Sequence, residues 1–179
     1  ALRKRYHTPI SEHLGFEYDQ IVSLGEVLSS KILAQVLLTE KVAAQWLDAR
    51  QLIRTDNHYK EGNVDWDKTT QKIQSCVDQF PKKTCFITQG FIGHTSEGFT
   101  TTLGREGSDY SAAIFAYALT AQDVTIWKDV PGMLNADPKF FSNTQLLKSI
   151  SYKEAIELAY FGASVIHPKT VKPLQNKNI

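Results

Sequence analysis

Cysteine is scarce in this chain. Among 179 residues only Cys76 and Cys85 carry a thiol. Two cysteines cannot build a disulfide framework or a four-ligand zinc site. Both are expected to be buried thiols, serving as small apolar residues in a reducing cytoplasm. A surplus of charge of either sign is also missing, since 20 Lys and Arg against 19 Asp and Glu leave +1. That balance gives no support to a nucleic-acid or membrane-surface partner. No apolar run reads as long enough to span a bilayer, and the basic start from Ala1 to His7 lacks the apolar core of a signal peptide. Internal repeats and low-complexity tracts are absent. What is present is a hydrophobic content of 42%. It fits a globular chain, one domain or most of one, with a sizeable core.

The apolar spacing of Ile21, Leu24, Leu28, Ile32 and Val36 predicts a helix from Asp19 to about Leu38. Val42 to Leu47 and Leu52 to Arg54 read as short extended pieces, and Gly62-Asn63 as a loop. Trp66 to Phe80 reads as a helix with Ile73, Cys76, Val77 and Phe80 on one face, stopped by Pro81. Thr84 to Thr88 is expected to be a buried strand, followed by a Gly- and Thr-rich loop from Gln89 to Gly107. Ser108 is the expected cap of a buried helix from Asp109 to Leu119. Val124 to Lys128 reads as a strand leading to a turn at Pro131-Gly132. Ser151 and Glu154 form a capping box for a helix that should stop at Gly162. Val165-Ile166 reads as a brief extended piece, and Pro168 opens a last helix. Alternating strands and helices argue an α/β fold.

Four segments carry candidate chemistry. In Thr100-Thr101-Thr102-Leu103-Gly104-Arg105-Glu106-Gly107-Ser108-Asp109, two glycines let backbone N–H groups approach an anion at a helix N-terminus. Arg105 suits a carboxylate held by two parallel hydrogen bonds, and Asp109 a cation. The same residues equally make a Gly-rich turn, a capped helix and a surface arginine. Ile126 to Lys139 places Lys128, Asp129, Asp137 and Lys139 around a tight turn, as at the carboxyl edge of an open α/β sheet or on a solvated loop. Glu26, in Val22-Ser23-Leu24-Gly25-Glu26, is a carboxylate within an apolar helix and must be exposed or paired. His167, before Pro168, reads as a structural cap rather than a catalytic group. His94 reads the same way, although its loop suits an approach to phosphate.

Taken together and in order, TTLGREGSDYSAA, IWKDVPGMLNADPK and ELAYFGASVIHPKT resemble the signatures of aspartokinases. TQGFIG and VSLGE resemble two more, so the likeness runs from about Asp19 to the end. It implies the amino-acid kinase fold, a three-layer α/β/α sandwich around a mostly parallel sheet. It also implies transfer of the γ-phosphoryl of ATP, with Mg²⁺, to the β-carboxylate of L-aspartate, which opens lysine, threonine and methionine synthesis. By resemblance, Glu26 receives the aspartate ammonium and Arg105, with Thr102, holds substrate carboxylate. Asp109 orients a phosphate-binding lysine. Lys128, Asp129, Leu134, Asp137, Lys139 and Ser164 lie at the nucleotide.

The chain departs from the family's usual residues at several of these positions. The family usually has Gly at Glu106, Thr at Lys128, an aromatic or other residue at Leu134, Arg at Lys139 and Lys at Ser164. A KFGG-type first strand, whose lysine grips the phosphoryl group, and the C-terminal ACT domains are not found. Residues 1–179 therefore read as a partial catalytic domain, truncated at both ends and inactive alone, from an enzyme that forms homo-oligomers through its ACT domains. Glutamate or acetylglutamate kinase, or a binding module without turnover, are the competing readings.

Overall fold

The computed structural model describes residues 14–160 and 165–179. Ten elements follow one another: α1 (Leu14–Thr39), β1 (Ala44–Trp46), α2 (Ala49–Leu52), α3 (Trp66–Val77), β2 (Cys85–Ile87), β3 (Ile92–His94), β4 (Thr100–Thr102), α4 (Gly107–Leu119), α5 (Tyr152–Tyr160) and α6 (Pro168–Lys177). β1 and β2 pair in parallel, with Ala44 opposite Cys85 and Trp46 opposite Ile87. β3 and β4 pair antiparallel, Ile92 opposite Thr102 and His94 opposite Thr100. The α/β class expected from the alternation is present. The main core gathers Leu52, Ile53, Ile73, Ile92, Leu103 and Ile114 from α2 and the segments after it. A smaller one joins Ala113 and Ala116 of α4 to Leu174 of α6.

The helix α1 buries an unusual face. Asp19, Ser23, Ser30 and Ala34 are inside, while Ile21, Leu28, Ile32 and Val36 are exposed. An amphipathic helix ordinarily turns its apolar stripe inward. Here hydrogen bonds to the polar face decide the docking. The Gln20 amide donates to the Thr100 carbonyl at 2.6 Å, and Trp46 Nε1 donates to Ser30 Oγ at 3.1 Å. By length and composition α1 is also long and apolar enough to cross a membrane. That corrects the expectation that no such stretch exists.

Caps encoded within a few residues form as read. The Ser151 amide and hydroxyl donate to Glu154 Oε2, and the Glu154 amide donates back to Ser151 Oγ. His167 caps α6, its Nδ1 accepting from the Lys169 amide at 3.1 Å, with Pro168 opening the helix. The helix α4 is buried on several faces, as its composition predicts.

Other expectations need correction. Leu52 belongs to the one-turn helix α2, capped by Asp48, rather than to an extended piece. The helix α3 ends at Val77, with Asp78 as its C-cap, ahead of Pro81. The tract from Gln89 to Gly107 contains the β3–β4 pair, because its β-branched threonines suit a pleated, buried surface. The β2 strand is only partly buried, and Cys85 is exposed rather than buried. Residues 124–128 form no strand, and Trp127 is 90% exposed. Ser108 is not the cap of α4, since the preceding Glu106 takes that position. Gly162 lies outside the described residues.

Candidate active site

The strand β4 delivers the Gly-rich turn to a fixed place. The Leu103 amide donates to the Phe91 carbonyl at 2.8 Å, and the Phe91 amide donates to the Gly107 carbonyl at 3.3 Å. Between these anchors the chain reverses through two left-handed residues, Gly104 at φ +79° and Glu106 at φ +52°. Glycine takes this conformation freely, whereas an L-residue gives up about 1–2 kcal/mol. Glu106 therefore carries strain. Arg105 stands exposed between the two, its guanidinium open to a ligand.

The first turn of α4 carries the second feature. Lys128 Nζ lies 2.7 Å from Asp109 Oδ2, with side chains 23% and 16% exposed. The contact is an ion pair rather than an aligned hydrogen bond. It brings together two predicted site residues 19 positions apart in the sequence. A carboxylate there is also favoured by the positive end of the helix. Beside the same turn an apolar groove of about 420 Å³ runs between β2 and α4, lined among others by Phe86, Thr88, Gly90, Ser108, Ser111 and Phe115. Gly90 is required for that approach: a Cβ there would stand 2.9 Å from the Ser108 Cα.

Thr102 is held from α1. Its amide and its hydroxyl donate to Asp19 Oδ2 and Oδ1 at 2.9 and 2.8 Å. Asp19 Oδ2 also accepts from the Lys60 amide at 2.8 Å. Thr102 is fully buried, and both of its donors are committed to Asp19. Sequence reasoning missed Asp19. The argument applied to Glu26, that a carboxylate in an apolar helix needs a partner, applies equally to it. Glu26 itself is half-buried, and burial pushes its carboxyl above the usual range.

The remaining candidates are more open. Asp129 and Lys139 are exposed. Asp137 Oδ1 accepts from the Lys139 amide at 2.8 Å. Leu134 is half-buried and bridges Leu146. Ser164 lies outside the described residues. His94 is buried, its Nδ1 2.9 Å from the Ile53 carbonyl, and it serves the core rather than a phosphate. Among the described residues, no three His, Cys, Asp or Glu side chains gather as a metal site.

A helix-end ion pair and a tight arginine-bearing turn, set on an α/β frame, are parts suited to handling charged small molecules. The chain belongs to the amino acid kinase family, whose profile matches residues 2–179. Within that class its relatives include lysine-sensitive aspartokinase 3 of Escherichia coli (strain K12), 40% identical over 163 residues, which covers 90% of this chain and 36% of the relative. The chloroplastic bifunctional aspartokinase/homoserine dehydrogenase 1 of Zea mays is 36% identical over 90% of this chain and 18% of its own length. The crystal structure of E. coli aspartokinase III in complex with aspartate and ADP matches with a TM-score of 0.88 and 37% identity, over 98% of this chain and 39% of that one. Aspartate kinase from Synechocystis matches with a TM-score of 0.73 and 29% identity, over 99% of this chain and 28% of that one. The chain thus spans little more than a third of the E. coli relative, at 36%.

Proposed function

We propose that this chain is part of the catalytic domain of an aspartokinase, which moves the γ-phosphoryl group of ATP to the β-carboxylate of L-aspartate and forms 4-phospho-L-aspartate. The reaction opens lysine and threonine synthesis, and the enzyme works in the cytoplasm. The observation that carries this reading is the Asp109–Lys128 pair, 2.7 Å long, at the start of α4. It sets a cation beside a helix N-terminus, where phosphate oxygens are best received.

Each residue has a part in this reading. Arg105 holds a carboxylate of aspartate, Thr102 supports it from within β4, and Glu26 receives the ammonium group. Asp109 fixes Lys128, which meets the phosphates, while Asp129, Leu134, Asp137, Lys139 and Ser164 border the nucleotide. A β-carboxylate is already an adequate nucleophile at neutral pH, so the site needs no strong base. Rate comes from alignment and from neutralising charge on the transferring group. Mg²⁺ bound with the nucleotide would neutralise phosphate charge.

Assays of the full-length protein with ATP and, in turn, aspartate, glutamate and acetylglutamate test the reading. Turnover confined to aspartate is expected. Preference for either of the others would move the chain to another branch of the family. ATP binding by calorimetry without turnover on any of the three would make it a binding module.

A further inference from the structure

We propose that Lys169 is a positioning residue for the arginine turn, an inference that rests on the aspartokinase reading above. Lys169 sits in the first turn of α6, where the positive helix end disfavours a cation. Its ammonium reaches away from that helix to three other segments. It donates to the Leu103 carbonyl at 3.3 Å, pairs with Glu61 Oε1 at 3.6 Å and lies 5.0 Å from the centre of the Tyr110 ring. The Lys169 side chain is 25% exposed, whereas that of Glu61 is 63% exposed, so the ammonium is partly shielded from water and the carboxylate is not.

These three segments surround the turn that carries Arg105. Leu103 is the last residue before Gly104. Tyr110 follows Asp109 in the first turn of α4. The Glu61 side chain lies against Gly104, whose added Cβ would stand 3.1 Å from Glu61 Cγ. The neighbouring Gly62 amide donates to the Thr102 carbonyl at 2.8 Å. The loop of Lys60 to Gly62 is therefore fastened on both sides, by Asp19 through the Lys60 amide and by Lys169 through Glu61. Lys169 closes this clasp. Its ammonium neutralises Glu61 and fixes the carbonyl at which the left-handed turn begins. Arg105 has exposed surroundings of its own, so its direction depends on how firmly the turn's first anchor is held.

Steady-state kinetics of the full-length enzyme, with aspartate and ATP varied separately, test the role. Lys169→Met is expected to raise the KM for aspartate roughly tenfold while the KM for ATP and kcat stay within about twofold. Lys169→Arg should restore most of the loss, because a guanidinium spans the same carbonyl and carboxylate. Glu61→Gln should move the aspartate KM in the same direction by less. Amide hydrogen exchange at Gly104 to Gly107 reads the clasp without any substrate and is expected to speed up in Lys169→Met and in Glu61→Gln. An unchanged aspartate KM with unchanged exchange overturns the proposal, as does an equal rise in both KM values with a lowered melting temperature. Wild-type enzyme that leaves aspartate untouched would defeat the aspartokinase reading instead, and the exchange rates would still decide the clasp.

Discussion

Asp109 and Lys128 hold each other at a place where the backbone already favours a negative group, so the pair is fixed by position as well as by charge. Changing Asp109 to Asn keeps the shape and leaves the helix start intact, but frees Lys128. In the full-length enzyme, kcat is expected to fall by roughly 10- to 100-fold, with a melting temperature close to wild type. A melt and a turnover number on the same preparation check this. Near-normal turnover would reduce Asp109 to a helix-start residue. Glu106 makes the opposite kind of prediction. It holds φ +52°, and its Oε2 is buried without a hydrogen-bond partner. Glu106→Gly removes the strain at some cost in unfolded-chain entropy, for a net gain of about 0.5–1 kcal/mol. Thermal unfolding should shift upward by about 1–4 °C. At this scale the sequence was informative about residue type and silent about conformation. Arg105 and Asp109 stood out by their motif. The left-handed backbone at Glu106 could not be read from a glutamate, and Asp19 was hidden because its partner Thr102 is 83 positions away.

Elements whose signals are local were legible, and those formed by distant partners were not. The Ser151–Glu154 box and the His167-Pro168 start both act within three residues, and both form. The β3–β4 pair lies in a tract that reads as loop, because its burial comes from Ile53, from α1 and from the surrounding core rather than from its own pattern. The segment 124–128 shows the reverse. Its alternating apolar residues suggest a strand, yet among the described residues no partner strand accepts it. The inverted docking of α1 has a testable cost. The Asp19 carboxylate is fully buried and accepts three hydrogen bonds. Asp19→Ala leaves those donors without a partner and should destabilise the chain by about 3 kcal/mol or more. Chemical denaturation of both forms measures it. A loss below about 1 kcal/mol would mean that water or another acceptor replaces the carboxylate.

Between about pH 7.5 and 5.5 the molecule as a whole should respond to acid through the interior ring of His94. His94 is 9% exposed. Burial first, and then the nearby positive charge of Arg54, hold its pKa below the ordinary 6.5. The Ile53 carbonyl and Asp48 pull it back upward, and Lys72 adds to the lowering. In the folded state the ring therefore stays neutral at a pH where the unfolded chain takes up a proton. The unfolded state binds more protons in that window, so stability is full above about pH 6.5 and falls as the pH drops below it. His94→Gln should flatten this part of the curve. Denaturation midpoints at about pH 7.5 and 5.5 for both forms check it, and equal slopes would assign the acid response to other groups.

Synthesis on the ribosome puts the docking of α1 in a different light. The helix is complete at Thr39, but the Thr102 backbone and hydroxyl that hold Asp19 lie 63 positions beyond Thr39. At a translation rate of roughly 5–20 residues per second, the wait is on the order of 3–13 s. Throughout that interval a 26-residue helix rich in apolar side chains can meet β1, through Trp46 and Ser30, but not the strand that holds Asp19. A nascent chain in this condition is a natural client for a ribosome-bound chaperone, and its commitment to the fold comes late, when β4 emerges.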